Sequence, residues 1–191
     1  MISDAELKAL VSKVVHRTMH GEGVRPESPF PDGGAFGGRK TIALGADHGG
    51  FKVKEMLKAY LSREGFDVID CGTHSTQSVD YPDFALSVAE KVSQKEVSYG
   101  IIIDGAGIGS CMTANKVPGV RAAMCYNIAT ATNSREHNHA NVLTLGAGFQ
   151  GDNETKLIVN TWLATEFGGG RHAKRVDKIT AVEKKYSKVG Q

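Results

Sequence analysis

The sequence predicts an α/β protein: a doubly wound, Rossmann-like five-stranded parallel sheet with helices on both faces, preceded by an amphipathic helix on a linker. Two observations lead there. From Lys40 onward, short β-branched runs alternate with longer amphipathic stretches, the rhythm of successive βαβ units. Runs such as Tyr99-Gly-Ile-Ile-Ile103 are apolar throughout, as strands covered on both faces of a parallel sheet must be. The 191 residues, 40 % hydrophobic and 23 % charged, suffice for one such domain with a real core plus an appendage.

Taken in order, residues 1–20 form the appendage. Ser3-Asp-Ala-Glu6 has the form of a capping box, and Leu7, Leu10, Val11, Val14 and Val15 then recur at three- and four-residue spacing, with Met19 one turn further on. Residues 21–39 carry Pro26, Pro29, Pro31 and repeated Gly-Gly pairs with no hydrophobic period, the composition of a linker. Residues 40–191 make the domain. Strands are expected at Thr41 to Gly45, Phe66 to Asp70, Tyr99 to Ile103, Val120 to Cys125 and Val142 to Gly146. Right-handed crossovers restrict the sheet to a doubly wound topology, for which the order 2-1-3-4-5 is expected. That order puts the switch point between strands one and three, so the loop at Asp47-His48 is expected beside the loop at Asp104 to Ser110. A basic helix from Arg171 to Lys188 follows the Gly168-Gly-Gly170 break.

Composition excludes several classes of function. A net charge of +2 with no basic block argues against nucleic acid as a partner. Cys71, Cys111 and Cys125 are odd in number and unpaired in spacing, which suits a reducing compartment. No apolar run is long enough to span a membrane and no secretory h-region opens the chain, so a cytoplasmic location is expected.

The most informative local feature is the passage from the third strand into Asp104-Gly-Ala-Gly-Ile-Gly-Ser110. Gly105, Gly107 and Gly109 let the backbone turn its N–H groups toward a ligand, and an opening helix adds its positive end. Asp104 puts a carboxylate at the mouth of that turn. A nucleotide phosphate would be repelled there, whereas a substrate losing a proton would be served. Ser110 stands where a dinucleotide fingerprint requires Gly or Ala, and the Lys-Ser/Thr of a P-loop is absent. No nucleotide cofactor is therefore expected, although a tight turn of small residues is a competing structural explanation.

Other polar groups gather around the predicted strand ends. Asp47 and His48 precede a helix start, as a ligand-facing pair or, for Asp47, a helix cap. His137 and His139 form an H-x-H pair; a metal needs three or four convergent ligands, so His137 is read as an acid/base or hydrogen-bonding group and no metal is expected. Arg171 and Arg175 stand four apart on one helix face, either gripping a phosphate or forming a solvated basic face.

Together, Gly45-Ala-Asp-His-Gly-Gly50, Val79-Asp-Tyr-Pro-Asp83, the glycine turn, Ala114-Asn-Lys-Val-Pro-Gly-Val-Arg121, Arg135-Glu-His-Asn138, Asn141-Val-Leu and Gly169-Gly-Arg-His172 resemble the ribose-5-phosphate isomerase B family, which includes the galactose-6-phosphate isomerase subunits. The resemblance covers residues 41 to about 187. It implies aldose–ketose isomerisation of a phosphorylated sugar through an enediolate, without a cofactor, at a site shared across a homodimer or dimer of dimers. By position, Asp47 would bind sugar hydroxyls, His48 with Arg171 and Arg175 the phosphate, and Tyr81 the sugar wall. His137 would help open the furanose ring, Asn138 would contact the enediolate, and the amides of Gly105 to Gly109 would form an oxyanion hole.

The chain departs from that pattern at the base. Asp104 stands where many members have Cys, and Ser110, grouped here with the substrate-binding residues, where others have Glu; Ala106 replaces a Thr and Gly148 an Arg. Asp104 is expected to serve as the base. The alternative is a catalytically silent subunit of the galactose-6-phosphate isomerase A type. The N-terminal helix and linker lie outside the family pattern and resemble the encapsulation peptides of bacterial microcompartments. A shell or cargo protein is thus an expected partner through residues 3–19, in preference to the chain's own oligomer or a membrane surface.

Overall fold

The computed structural model describes residues 41–187. The expected N-terminal helix and linker lie outside them. Five parallel strands, β1 (Thr41–Ala46), β2 (Asp67–Asp70), β3 (Tyr99–Asp104), β4 (Ala122–Met124) and β5 (Val142–Gly146), alternate with helices α1 (Phe51–Arg63), α2 (Tyr81–Ser93), α3 (Ile108–Ala114), α4 (Ile128–Glu136), α5 (Asp152–Ala164) and α6 (Gly170–Tyr186). The doubly wound fold is as expected, with α2 and α3 packed together on one face and α4, α5 and α1 on the other.

The strand order corrects the expected one. It runs β2-β1-β3-β5-β4, so β4 lies at the edge and β5 between β3 and β4. Burial explains the exchange. All five residues of β5 are buried, whereas β4 shrinks to three half-buried residues, and the more continuously apolar strand takes the inner place. The switch point between β1 and β3 is unaffected, because those two strands remain neighbours in the register Ala46↔Ile103.

Helix spacing follows burial. In α2, Ala85, Val88, Ala89 and Val92 point inward at three- and four-residue intervals, behind Pro82 in the first turn. They close onto β3 at Gly100, where a Cβ would stand 2.6 Å from Val88 and 3.2 Å from Val142; only glycine permits that approach. In α4 the start is set by a capping box, Asn127 Oδ1 accepting from Thr130 N and the Thr130 hydroxyl accepting from Asn127 N.

Two buried cations anchor the layers. Arg135, 5 % exposed, donates to the carbonyls of Ala140 and Thr165 and to the Tyr99 hydroxyl. Its guanidinium lies 4.7 Å from the Tyr99 ring and 4.9 Å from that of Trp162, so one side chain ties the end of α4 to the start of β3 and the end of α5. Lys54 on α1, fully buried, donates to both oxygens of Asp70 at 2.7 and 2.8 Å and to Glu55. Burial by itself would raise the Asp70 pKa, but Lys54, Lys58 and the Gly72 N–H outweigh it and hold the carboxyl at about 2.

The Asp70 carboxylate therefore contributes stability that is complete above its ordinary value of 3.8 and is lost as pH falls toward about 2. Urea unfolding followed from pH 6 to pH 2 is expected to show an acid-side loss of stability between those values, and Asp70→Asn is expected to flatten it. An unchanged acid limb in Asp70→Asn would remove this carboxylate from the account.

Candidate active site

The glycine turn grows directly from β3, whose last residue is Asp104. Gly107 has φ 78°, and α3 begins at the next residue. A Cβ there would also meet the Leu145 carbonyl carbon at 2.9 Å, so the position needs glycine twice over. The turn is organised by the carboxylate itself. Asp104 Oδ1 accepts from the N–H groups of Ala106, at 2.8 Å, and Gly107, while Oδ2 accepts from Ser110 N at 3.1 Å. A carboxylate offers about four acceptor positions, so one on Oδ2 is left.

This geometry modifies the expected oxyanion hole. Of the amides from Gly105 to Gly109, those of Ala106 and Gly107 face Asp104, and the three not engaged by it belong to Gly105, Ile108 and Gly109. Ser110, expected to touch substrate, is fully buried, and its hydroxyl has no partner among the described residues. Its N–H also serves the turn, through Asp104 Oδ2. Cys111 turns away, its Sγ lying 3.4 Å from the Ala122 carbonyl at β4.

Around this turn the structure assembles three further candidates. The β1 loop lies alongside, a Cβ at Gly49 falling 3.3 Å from Asp47 Oδ1 and 3.7 Å from Gly105 N. Asp47 is 8 % exposed and accepts from Gly50 N at 2.8 Å with Oδ1, which ties the loop to the start of α1. His48 is exposed, its Nδ1 held 3.2 and 3.3 Å from the carbonyl O and N of Val79. Tyr81 packs its ring so closely on Gly109 that a Cβ there would stand 2.5 Å from Cζ.

His137, Asn138, Arg171 and Arg175 form a second group. His137 caps the C-terminus of α4, and its ring stacks on His172 at 4.1 Å with an interplanar angle of 7°. Burial lowers the pKa of His172, and the neighbouring His137, Arg171 and Arg175 lower it further. Arg171 and Arg175 are both exposed on the first turns of α6, and Arg171 Nε lies 3.5 Å from His172 Nε2. His139, with φ 50°, departs from His137 to stack on Phe167 at 4.4 Å, so the H-x-H pair does not converge.

Within one chain the two groups occupy opposite ends of the sheet. Asp104 closes β3, while Gly100 near its start donates to the carbonyl of Asn141, three residues past Asn138. A six-residue strand spans about 17 Å at ~3.3 Å per residue. The sequence readings gave no role to His172 or to Asn133, whose Nδ2 lies 2.8 Å from His137 Nδ1. The signal for Asn133 was its spacing, one helical turn before His137.

Residues 42–179 match the Ribose/Galactose Isomerase family. The chain belongs to that family. It is 44 % identical over 146 residues to ribose-5-phosphate isomerase B of Escherichia coli, covering 76 % of this chain and 98 % of that protein. Among solved structures of the family, ribose-5-phosphate isomerase B of Clostridium thermocellum superposes with TM-score 0.76 at 53 % identity, covering 77 % of this chain and 99 % of its own. The Mycoplasma genitalium family member with bound ribulose-5-phosphate gives TM-score 0.73 at 42 % identity, covering 75 % and 96 %. No helix among the described residues is long and apolar enough to cross a membrane.

Proposed function

We propose that the protein interconverts ribose 5-phosphate and ribulose 5-phosphate through an enediolate. The observation that carries this reading is a carboxylate, Asp104, set among backbone N–H groups at the β1/β3 switch point. Asp104 Oδ2 removes the proton at C2 of the open-chain aldose. The negative charge that develops on O1 is met by the N–H groups of Gly105, Ile108 and Gly109 at the positive end of α3. Return of a proton to C1, with transfer of the O2 proton to O1, completes the ketose. Asp47 holds sugar hydroxyls with the oxygen that Gly50 leaves open, and Tyr81 forms the wall beside Gly109. His48, Arg171 and Arg175 hold the phosphate. His137 gives its proton to the furanose ring oxygen O4 as the C1–O4 bond breaks, the 1-hydroxyl releases its proton to solvent, which returns one to His137, and Asn138 contacts the enediolate.

A single chain cannot bring these groups to one sugar across about 17 Å of sheet, so the proposed site combines the Asp104 end of one protomer with the His137 end of its partner in a homodimer. Supporting this, α6 buries only His172 and Val176 among the described residues, while Ile179, Val182 and Tyr186 are 48 %, 58 % and 71 % exposed. These lie along a groove of about 1210 Å³ beside β4, lined also by Tyr126 and Asn138.

The three N–H groups engaged by Asp104 favour one rival, a sugar-phosphate-binding subunit without turnover. Asp104→Asn keeps one acceptor oxygen and separates the two readings. The wild type is expected to exchange the C2 proton of ribose 5-phosphate with solvent deuterium, and Asp104→Asn to lose this by about 10²-fold or more while retaining phosphate-dependent binding. Wild-type binding without exchange on any five- or six-carbon aldose phosphate would establish the silent subunit.

Residues 1–20 fall before the family match, which begins at residue 42. We infer that their Leu7, Leu10, Val11, Val14 and Val15 stripe docks on a microcompartment shell or cargo protein. Deleting them is expected to leave isomerase turnover intact, and fusing them to a fluorescent protein to recruit it to shell proteins. Loss of the oligomer on deletion would assign the segment to the protein's own assembly.

A further inference from the structure

Asn133 on α4 is linked to both polar residues at the helix end. Asn138 Nδ2 lies 3.2 Å from the Asn133 carbonyl oxygen and 3.1 Å from Asn133 Oδ1. A backbone carbonyl only accepts, so Asn138 must turn its NH2 group there. The side-chain atom of Asn133 meeting that same NH2 is then its oxygen. Its nitrogen is left facing His137 Nδ1 at 2.8 Å. An amide nitrogen only donates, so Nδ1 accepts and a neutral His137 carries its proton on Nε2. The orientation of the whole chain of contacts is thus set by a backbone oxygen that cannot flip.

Two neighbours hold the imidazole in that attitude. His172 covers one face of the ring at 4.1 Å, nearly parallel, and Glu136 Oε1 lies 3.9 Å from Nε2, on the side where the proton is placed.

We propose that Asn133 is a positioning residue that makes His137 an Nε2–H proton donor for opening the sugar ring. The proposal rests on the reading of His137 as the ring-opening acid. Asn133 touches no substrate; it acts by occupying Nδ1. Ring opening then depends on Asn133, and enediolate formation from an open-chain sugar does not. Ribose 5-phosphate is a furanose, whereas ribulose 5-phosphate, with its 5-hydroxyl esterified, stays open-chain, so the two directions separate the steps.

The test uses Asn133→Asp in the full-length protein, a near-isosteric change at an exposed position that replaces the donor with an acceptor. Long-range ¹H–¹⁵N spectra of ¹⁵N-histidine protein, with His137 assigned by its loss in His137→Gln, are expected to show Nε2–H in the wild type and Nδ1–H in Asn133→Asp. Conversion of ribose 5-phosphate is expected to fall about tenfold or more in kcat, toward the range general acids supply. Deuterium wash-in at C1 of ribulose 5-phosphate should change by less than about twofold, since it needs no ring-opening acid.

Nδ1–H in the wild type, or Nε2–H retained in Asn133→Asp, would overturn the proposal, as would an equal fall in both reactions. The expected spectra from a wild type that turns over no sugar phosphate would uphold Asn133 as the residue fixing the tautomer, and the failure would belong to the proposed isomerase activity. Should Asn133→Asp not fold, Asn133→Leu takes its place: a mixture of the two tautomers supports the proposal and pure Nε2–H refutes it.

Discussion

The Asp104 carboxylate is where backbone and chemistry meet. By accepting from Ala106, Gly107 and Ser110, it folds the chain leaving β3 into a tight turn, and the left-handed Gly107 then starts α3 at Ile108. Three charge-assisted hydrogen bonds are worth about 1.5–3 kcal/mol each in favourable cases, enough to hold a turn of small residues with little side-chain packing of its own. The neighbouring pieces take their places from it: the β1 loop at Gly49 beside Gly105, Tyr81 on Gly109, and Ala147 N donating to the Asp104 carbonyl at 2.8 Å. In the proposed reaction the acceptor site that remains on Oδ2 takes the proton.

The opposite end of the sheet is built on a different device. Arg135, buried between Tyr99 and Trp162, fixes the end of α4 to β3 and to the chain leaving α5. Gly168 N donates to the Glu136 carbonyl at 2.9 Å and leads into α6, so His137, His172 and the two arginines are gathered where the helix ends. Neither end alone offers a base, an anion cradle and a phosphate grip. The proposed dimer supplies what the strand length denies to one chain, because two-fold symmetry presents each end to the other.

Much of this was legible in the sequence. β1, β3 and β5 announce themselves by contiguous apolar runs, and the switch point follows from β1 and β3 alone. Strand order did not follow, because an apolar run says that a strand is buried and not which strand it pairs with; the short β4 moved to the edge for that reason. Around the turn, glycines and a carboxylate were visible as types, but that the carboxylate folds back onto the turn's own amides depends on a backbone path that spacing does not specify. Ser110 went inside for the same cause. The divergence of His137 and His139 arises from one residue at φ 50°, and Asn133 carries in the sequence only its spacing, one helical turn before His137, which many exposed polar residues share.

The most direct test of the shared site is complementation between two inactive variants. Asp104→Asn and His137→Ala homodimers are each expected to be inactive on ribose 5-phosphate. Unfolded together at equal amounts and refolded, they should regain roughly a quarter of wild-type activity, since about half of the dimers are mixed and each mixed dimer holds one site with both groups intact. Failure to regain activity at any mixing ratio, with mixed dimers shown to form, would place Asp104 and His137 in separate sites and contradict the account.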